Sequence, residues 1–205
     1  VLGDIAAFRD NSRPALFCTM HQANWELAGA AIVGLGAPLT VVYSPPTNPM
    51  LDELLARWRS RIGAEMLARD ESMRPMIRAL AAGRSLGIVM DRRVDSGRAV
   101  PFCGHPKPTT LIPARLAIRF GYQLVPLRVE RTGPATIRAT FHEPLAVPPG
   151  DDEVERATEM TTRLHGLFEQ WVRERPGDWF PSKRLWPKEV YAGAGQTHAE
   201  ERTSP

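Results

Sequence analysis

The chain has 205 residues, 43% hydrophobic and 24% charged, enough for one domain with a sizeable core and too ordinary for disordered or fibrous classes. A formal net charge of +3 does not by itself argue for a nucleic-acid partner. Cys18 and Cys103, the only cysteines, lie far apart, which excludes a disulfide scaffold or cysteine zinc site and suits two buried thiols in a reducing compartment.

Ala15 to Met20 reads as a buried strand, followed by a helix from about Asn24 to Val33 that Gly34 can end. Leu39 to Tyr43 is a second strand. Gly34, Gly36 and Pro38 break the long apolar stretch Leu27–Tyr43, so it is no membrane span. After Pro45-Pro46-Thr47, Asn48 is placed to cap a helix with Pro49 at its first position. That helix puts Leu51, Leu54, Leu55, Trp58 and Ile62 on one face and stops at Gly63. A helix around Glu71 to Ala82 ends at Gly83, and Ser85 to Met90 is a fully buried strand.

Asp91 to Thr110 shows little periodicity and is expected as a long functional loop. A helix near Leu111 to Phe120 closes at Gly121. Leu124 to Val129 is another strand, and the alternation of Thr136 to Phe141 suggests an antiparallel edge. The last helix, capped by Asp151 or Asp152, carries Val154, Ala157, Thr161, Leu164, Phe168 and Trp171 as a core stripe. The expected fold is α/β: a single mostly parallel sheet with helices on both faces over residues 1–191, then a disordered polar tail over 192–205. The start at Val1, with no basic and apolar leader, suggests a chain that begins inside a longer protein.

In ALFCTMHQANWELAGA (Ala15 to Ala30) a strand stops at His21 and a helical pattern begins three residues later, with Glu26 in its first turn. Ligands in open α/β sheets bind at the carboxyl ends of the strands. A carboxylate folded back onto one imidazole nitrogen fixes the tautomer and frees the other nitrogen to accept a proton, the arrangement of a general base. A structural histidine, with Glu26 merely favourable at a helix N-terminus, is the plainer alternative from this spacing alone.

The surrounding motifs carry a resemblance. The segment H-x-x-N-W-E, Tyr43 to Glu65 with its Asn48-Pro49, and Gly87 to Thr110 (GIVMDRRVDSGRAVPFCGHPKPTT) come first. Leu111 to Arg131 and Glu174 to Lys188 (ERPGDWFPSKRLWPK) complete the order. Together they resemble the bacterial lipid A biosynthesis acyltransferases of the lysophospholipid acyltransferase superfamily. Departures include Ala23 for a usual glycine, Met20 for a small residue and Cys103 for a phenylalanine. The family's N-terminal membrane anchor is not in this sequence.

The resemblance implies a glycerol-3-phosphate acyltransferase-like fold and an O-acyltransferase. It would move a fatty acyl group from an acyl carrier protein thioester to a hydroxyl of a lipid A precursor. His21 would be the base and Glu26 its orienting acid; a thioester is already activated, so no cofactor, metal or covalent nucleophile is implied. Asn24, Tyr43, Asn48, Asp91, Arg92, Arg93 and Thr110 are the candidate substrate-binding residues. Asn48 is read first as an N-cap, and Asp91 as holding one of the two arginines. The oxyanion donors are backbone amides at the Asn24 helix start or the Arg92/Arg93 pair. Nearly all the positive charge is arginine, since only Lys107, Lys183 and Lys188 of 26 basic residues are lysines. A G- and C-rich genome explains that bias as well as phosphate binding does.

His105, His142 and His165 lack metal-ligand spacing and are read as surface or loop residues. Trp179, Phe180, Leu185, Trp186 and Tyr191 form either an interfacial anchor or packing over the sheet. The implied partners are the acyl carrier protein, a lipid acceptor and a membrane surface, with no nucleic acid, at the cytoplasmic face of the bacterial inner membrane. Alternatives keep the chemistry with a lysophospholipid or phosphatidylinositol mannoside acceptor, or make the chain a non-catalytic lipid- or carrier-binding module. A thioesterase is a further alternative, ranked last.

Overall fold

The structure is a computed structural model and describes residues 14–69, 73–181 and 183–191. All five residues of β1 (Ala15–Thr19) are buried, as a central parallel strand requires, so ALFCT shows no polar alternation. The chain then runs through α1 (Glu26–Gly34), β2 (Leu39–Tyr43), α2 (Pro49–Ser60), β3 (Glu65–Ala68), α3 (Arg74–Ala81) and β4 (Ser85–Val89). It continues through β5 (Arg98–Phe102), β6 (His105–Thr109), α4 (Ile112–Phe120), β7 (Gln123–Arg131), β8 (Ile137–Phe141) and α5 (Glu153–Glu174).

Six strands form one sheet in the order β3-β2-β4-β1-β7-β8. Every pairing is parallel except β7–β8, so the expected antiparallel edge is present. Because side chains alternate, Leu16, Cys18, Leu86, Ile88 and Leu124 share one face. That face is covered by α3, α4 and α5 through Leu80, Leu116 and Phe168. Phe17, Leu39, Val125 and Leu127 share the other, covered by α1 through Ala28 and Ile32. The fold is therefore α/β, a mostly parallel sheet between two helical layers. β1 feeds α1 on one face, whereas β4 leads by way of β5 and β6 to α4 on the other. The carboxyl ends of β1 and β4, adjacent in the sheet, form a topological switch point where a crevice opens.

Caps and turns follow local chemistry. Asn48 Oδ1 accepts from the Met50 N–H at 3.0 Å, and Asp152 Oδ1 from those of Val154 and Glu155 at 2.7 and 3.1 Å. Gly121 ends α4 in the left-handed region at φ 72°.

Several sequence expectations are corrected. Residues 91–110 are no structureless loop: β5 and β6 pair antiparallel around Cys103-Gly104, both at positive φ (50° and 77°), a two-residue hairpin turn. Three prolines in these strands hid it, and they are tolerated because the ribbon has only two strands. β3 was missed because four residues with exposed ends carry little signal. The face read on α2 is only partly covered: Leu51, Leu54 and Trp58 are exposed, whereas Leu55 and Ile62 are half-buried. His165 is fully buried on α5 and so is neither a surface nor a loop residue, whereas His142 lies half-buried in the loop after β8, stacked on Trp171 at 5.0 Å. Cys18 is buried, but Cys103 only partly. The expected helix start at Glu71 and the expected tail over 192–205 lie outside the described residues. Among those described, no helix is long and apolar enough to cross a membrane.

Candidate active site

His21 follows β1 by two residues and Asp91 follows β4 by two, and the parallel register brings their side chains together. His21 Nδ1 lies 2.7 Å from Asp91 Oδ1. The second carboxylate oxygen accepts from the His21 backbone N–H at 3.1 Å and from Trp179 Nε1 at 3.0 Å. A carboxylate only accepts, so Nδ1 carries the donated proton and Nε2 presents its lone pair. No described residue is bonded to Nε2. The Trp25 ring packs edge-on against the imidazole at 4.8 Å, fixing its plane. Asp91 is 1% exposed. Burial pushes its carboxyl up, but the His21 and Trp179 bonds more than offset this and hold it below the ordinary carboxylate range.

This overturns the expectation that Glu26 orients His21. Glu26 faces α2, where its two oxygens meet Arg59 Nη2 at 2.5 Å and Nε at 3.1 Å, a bidentate pair. The Arg59 guanidinium also lies 5.5 Å from the Tyr43 ring centroid. The spacing suggested a fold-back, but the helix starts only at Glu26 itself, with Trp25 as N-cap. A side chain in that first turn projects beside the pocket and not back onto the loop.

His21 sits at the mouth of a cavity of about 210 Å³ between the sheet and the α1–α2 side. Its deeper lining is apolar: Phe17, Ile32, Leu39, Val41, Ile62 and Met66. Gly29 and Gly87 leave it open. A Cβ at Gly29 would stand 3.5 Å from Ile62, and one at Gly87 would stand 3.5 Å from Leu39 and Val41. Its rim is polar and basic, with Ser44, Arg59, Arg69 and Arg92.

Of the other candidate residues, Tyr43, Arg92 and Thr110 line this cavity. Thr110 Oγ1 accepts from the Ile112 N–H at 3.3 Å, so it also holds the start of α4. Asp91 supports the imidazole and not the arginines. Arg93 points away, bonded to Asp95 and to the Trp186 carbonyl. Asn48 is an exposed cap outside the cavity, and Asn24 neither lines it nor caps α1 by its side chain.

Trp179, read as either an interfacial anchor or packing over the sheet, packs against the core at the sheet end, and its bond to Asp91 is the part the sequence did not show. The turn Pro176–Asp178 carries it back across the sheet end, where Ala23 N–H donates to Asp178 O at 2.7 Å and Phe180 N–H to His21 O at 2.8 Å. The tryptophan-rich C-terminal block thus braces the histidine loop, and Trp186 Nε1 donates to Phe102 O at 3.0 Å beside it. Buried Lys107 was likewise unforeseen. Among the described residues, no group of His, Cys, Asp and Glu could hold a metal ion.

An imidazole steered by a buried carboxylate at the mouth of an apolar pocket is suited to taking a proton from an alcohol beside a fatty chain. The phosphatidylinositol mannoside acyltransferase of Mycolicibacterium smegmatis is 27% identical over 182 residues, 86% of this chain and 58% of that protein. The protein of the same name from Mycobacterium tuberculosis is 24% identical over 177 residues, 84% of this chain and 54% of its own length. The lipid A biosynthesis acyltransferase of Haemophilus influenzae is 38% identical over 95 residues, 44% of this chain and 29% of its own. The chain thus spans little more than half the length of the mycobacterial relatives. With the family model for bacterial lipid A biosynthesis acyltransferases matching residues 2–188, the chain belongs to that family.

Proposed function

We propose that this chain carries the transfer centre of an O-acyltransferase that moves a fatty acyl group from a thioester to a hydroxyl of a lipid acceptor. The observation that supports it most is His21, with Nδ1 2.7 Å from Asp91 and its ring on the apolar cavity. His21 Nε2 removes the acceptor hydroxyl proton as the oxygen attacks the thioester carbonyl. The thiolate leaves on collapse of the tetrahedral intermediate and takes a proton from the imidazolium. Asp91 stabilises that imidazolium through Nδ1. Arg92, on the rim and bonded to no described acceptor, is the candidate donor to the oxyanion or to an acceptor phosphate. Glu26 shapes the pocket through Arg59.

The donor in this proposal is acyl carrier protein, and the acceptor a lipid A precursor at the cytoplasmic face of the inner membrane. The match to the phosphatidylinositol mannoside acyltransferases, which runs over 182 residues, favours a second acceptor of the same chemistry, a mannosyl hydroxyl on an anionic lipid. Radiolabelled acyl carrier protein thioester, offered with each acceptor in turn, tests both. The enzyme is expected to acylate one of them. His21→Ala should abolish transfer, and Asp91→Asn should lower kcat roughly 10²- to 10⁴-fold. Equal rates for wild type and His21→Ala would refute the base assignment. Lipid mass spectrometry of a deletion strain identifies the acceptor.

A further inference from the structure

Lys107, on β6, is completely buried, and no described carboxylate oxygen lies within ion-pair distance of it. Its Nζ donates to Asp91 O at 2.9 Å and to Met90 O at 3.3 Å, and lies 4.7 Å from the Phe102 ring centroid. β4 outruns β1 here: the Met90 N–H still bonds Thr19 O, while the next carbonyls have no neighbouring strand N–H to accept from. A neutral donor would serve those carbonyls without the desolvation cost of a buried cation. The charge therefore needs its own explanation, and the peptide it grips is the one that carries Asp91.

We propose that Lys107 is a positioning residue for the His21–Asp91 pair: its ammonium pins the Asp91 peptide and sets a positive charge behind the carboxylate. This rests on His21 acting as the base. A cation at that place opposes a proton on His21 and so favours the imidazole form that can accept one. The titratable groups facing the ammonium are Asp91 beyond β4, Cys103 in the β5–β6 turn and His165 on α5, with His21 beyond Asp91. Burial draws Lys107 itself down from 10.5 to about 8, with the Asp91 charge opposing, so it is charged at pH 7.

The test follows the His21 ring resonance by NMR against pH, assigned by its loss in His21→Gln. In Lys107→Met the midpoint is expected to rise by about 0.5–1 pH unit, while in Lys107→Arg it stays within about 0.2 of wild type. In the acyl-transfer assay Lys107→Met should lower kcat about tenfold with little change in KM, and move the acid limb of the profile upward. A folded Lys107→Met protein with an unmoved His21 midpoint overturns the proposal. Should that variant not fold, wild-type protein with labelled lysine decides: the His21 resonance must show a second inflection in step with the Lys107 titration, and its absence overturns the proposal. A wild-type protein inactive on every acceptor would sink the proposed function and leave the NMR result standing. An unmoved midpoint in an active enzyme would sink the role of Lys107 alone.

Discussion

Asp91 and His165 show how one physical setting, burial, leads to opposite uses of an ionisable residue. Asp91 is held by three donated bonds and keeps its charge. His165 has only Nδ1 engaged, on Pro101 O at 2.9 Å, and Nε2 has no partner among the described residues. Burial, reinforced by Lys107, drives it down to about 3, so it is folded as the neutral ring. The unfolded chain binds a proton near 6.5 and the folded chain does not until about 3, so stability falls as pH drops through this window. The slope is at most about 1.4 kcal/mol per pH unit. His165→Gln, which keeps a donor for Pro101, should flatten it; urea midpoints at pH 7 and pH 5 for both proteins check this. Lys107 acts with the same sign at the other end, since the unfolded chain holds more protons between about 8 and 10.5, so stability rises with pH there. Neither burial was legible from sequence. His165 sits in a helical stripe whose apolar members were recognised, but one polar residue in such a stripe does not say which way it turns.

At the scale of elements, α1 and α2 are joined across the pocket by Glu26 and Arg59, both largely shielded, with side chains 21% and 16% exposed. Glu26→Gln leaves the guanidinium partly buried without its charge partner and should cost about 1–3 kcal/mol in denaturant titration. Because the His21–Asp91 bond does not pass through Glu26, kcat should fall far less than in Asp91→Asn. A loss as large as that of Asp91→Asn would return Glu26 to the role first expected for it. Strand and helix positions were readable because buried parallel strands are short apolar runs and helices show caps and period. Asn48-Pro49 announced α2 by local chemistry alone. The β5–β6 hairpin was not readable, because its pairing lies in backbone bonds across prolines that in a larger sheet would break the ladder.

At the scale of the whole molecule, α2 contributes Arg59 to the basic rim of the pocket and leaves apolar side chains exposed. Met50 is 81% exposed and Leu54 64%, beside an Arg57 side chain at 77%. With the acceptor proposed above lying in a membrane, these exposed side chains are expected against an anionic bilayer, the apolar ones in the acyl boundary and the arginines at the headgroups. Sedimentation with phosphatidylglycerol vesicles should capture the protein more than phosphatidylcholine vesicles do. Leu54→Ser with Trp58→Ser should lower capture severalfold without lowering Tm. Equal capture by both lipids, or no loss in the variant, would count against that placement.

Sequence by itself determined the α/β class, the order of most elements and the histidine at the end of β1. These depend on periodicity and turn chemistry within a few residues. Only the tertiary structure decided which acid serves that histidine. Asp91 is 70 residues from His21 and meets it because β1 and β4 are parallel neighbours. Glu26, five residues away in the chain, turns instead to a guanidinium 33 residues on. Lys107 and Trp179 reach Asp91 from β6 and from the C-terminal turn for the same reason. A partner is chosen by sheet order and strand register, which are properties of the packed whole.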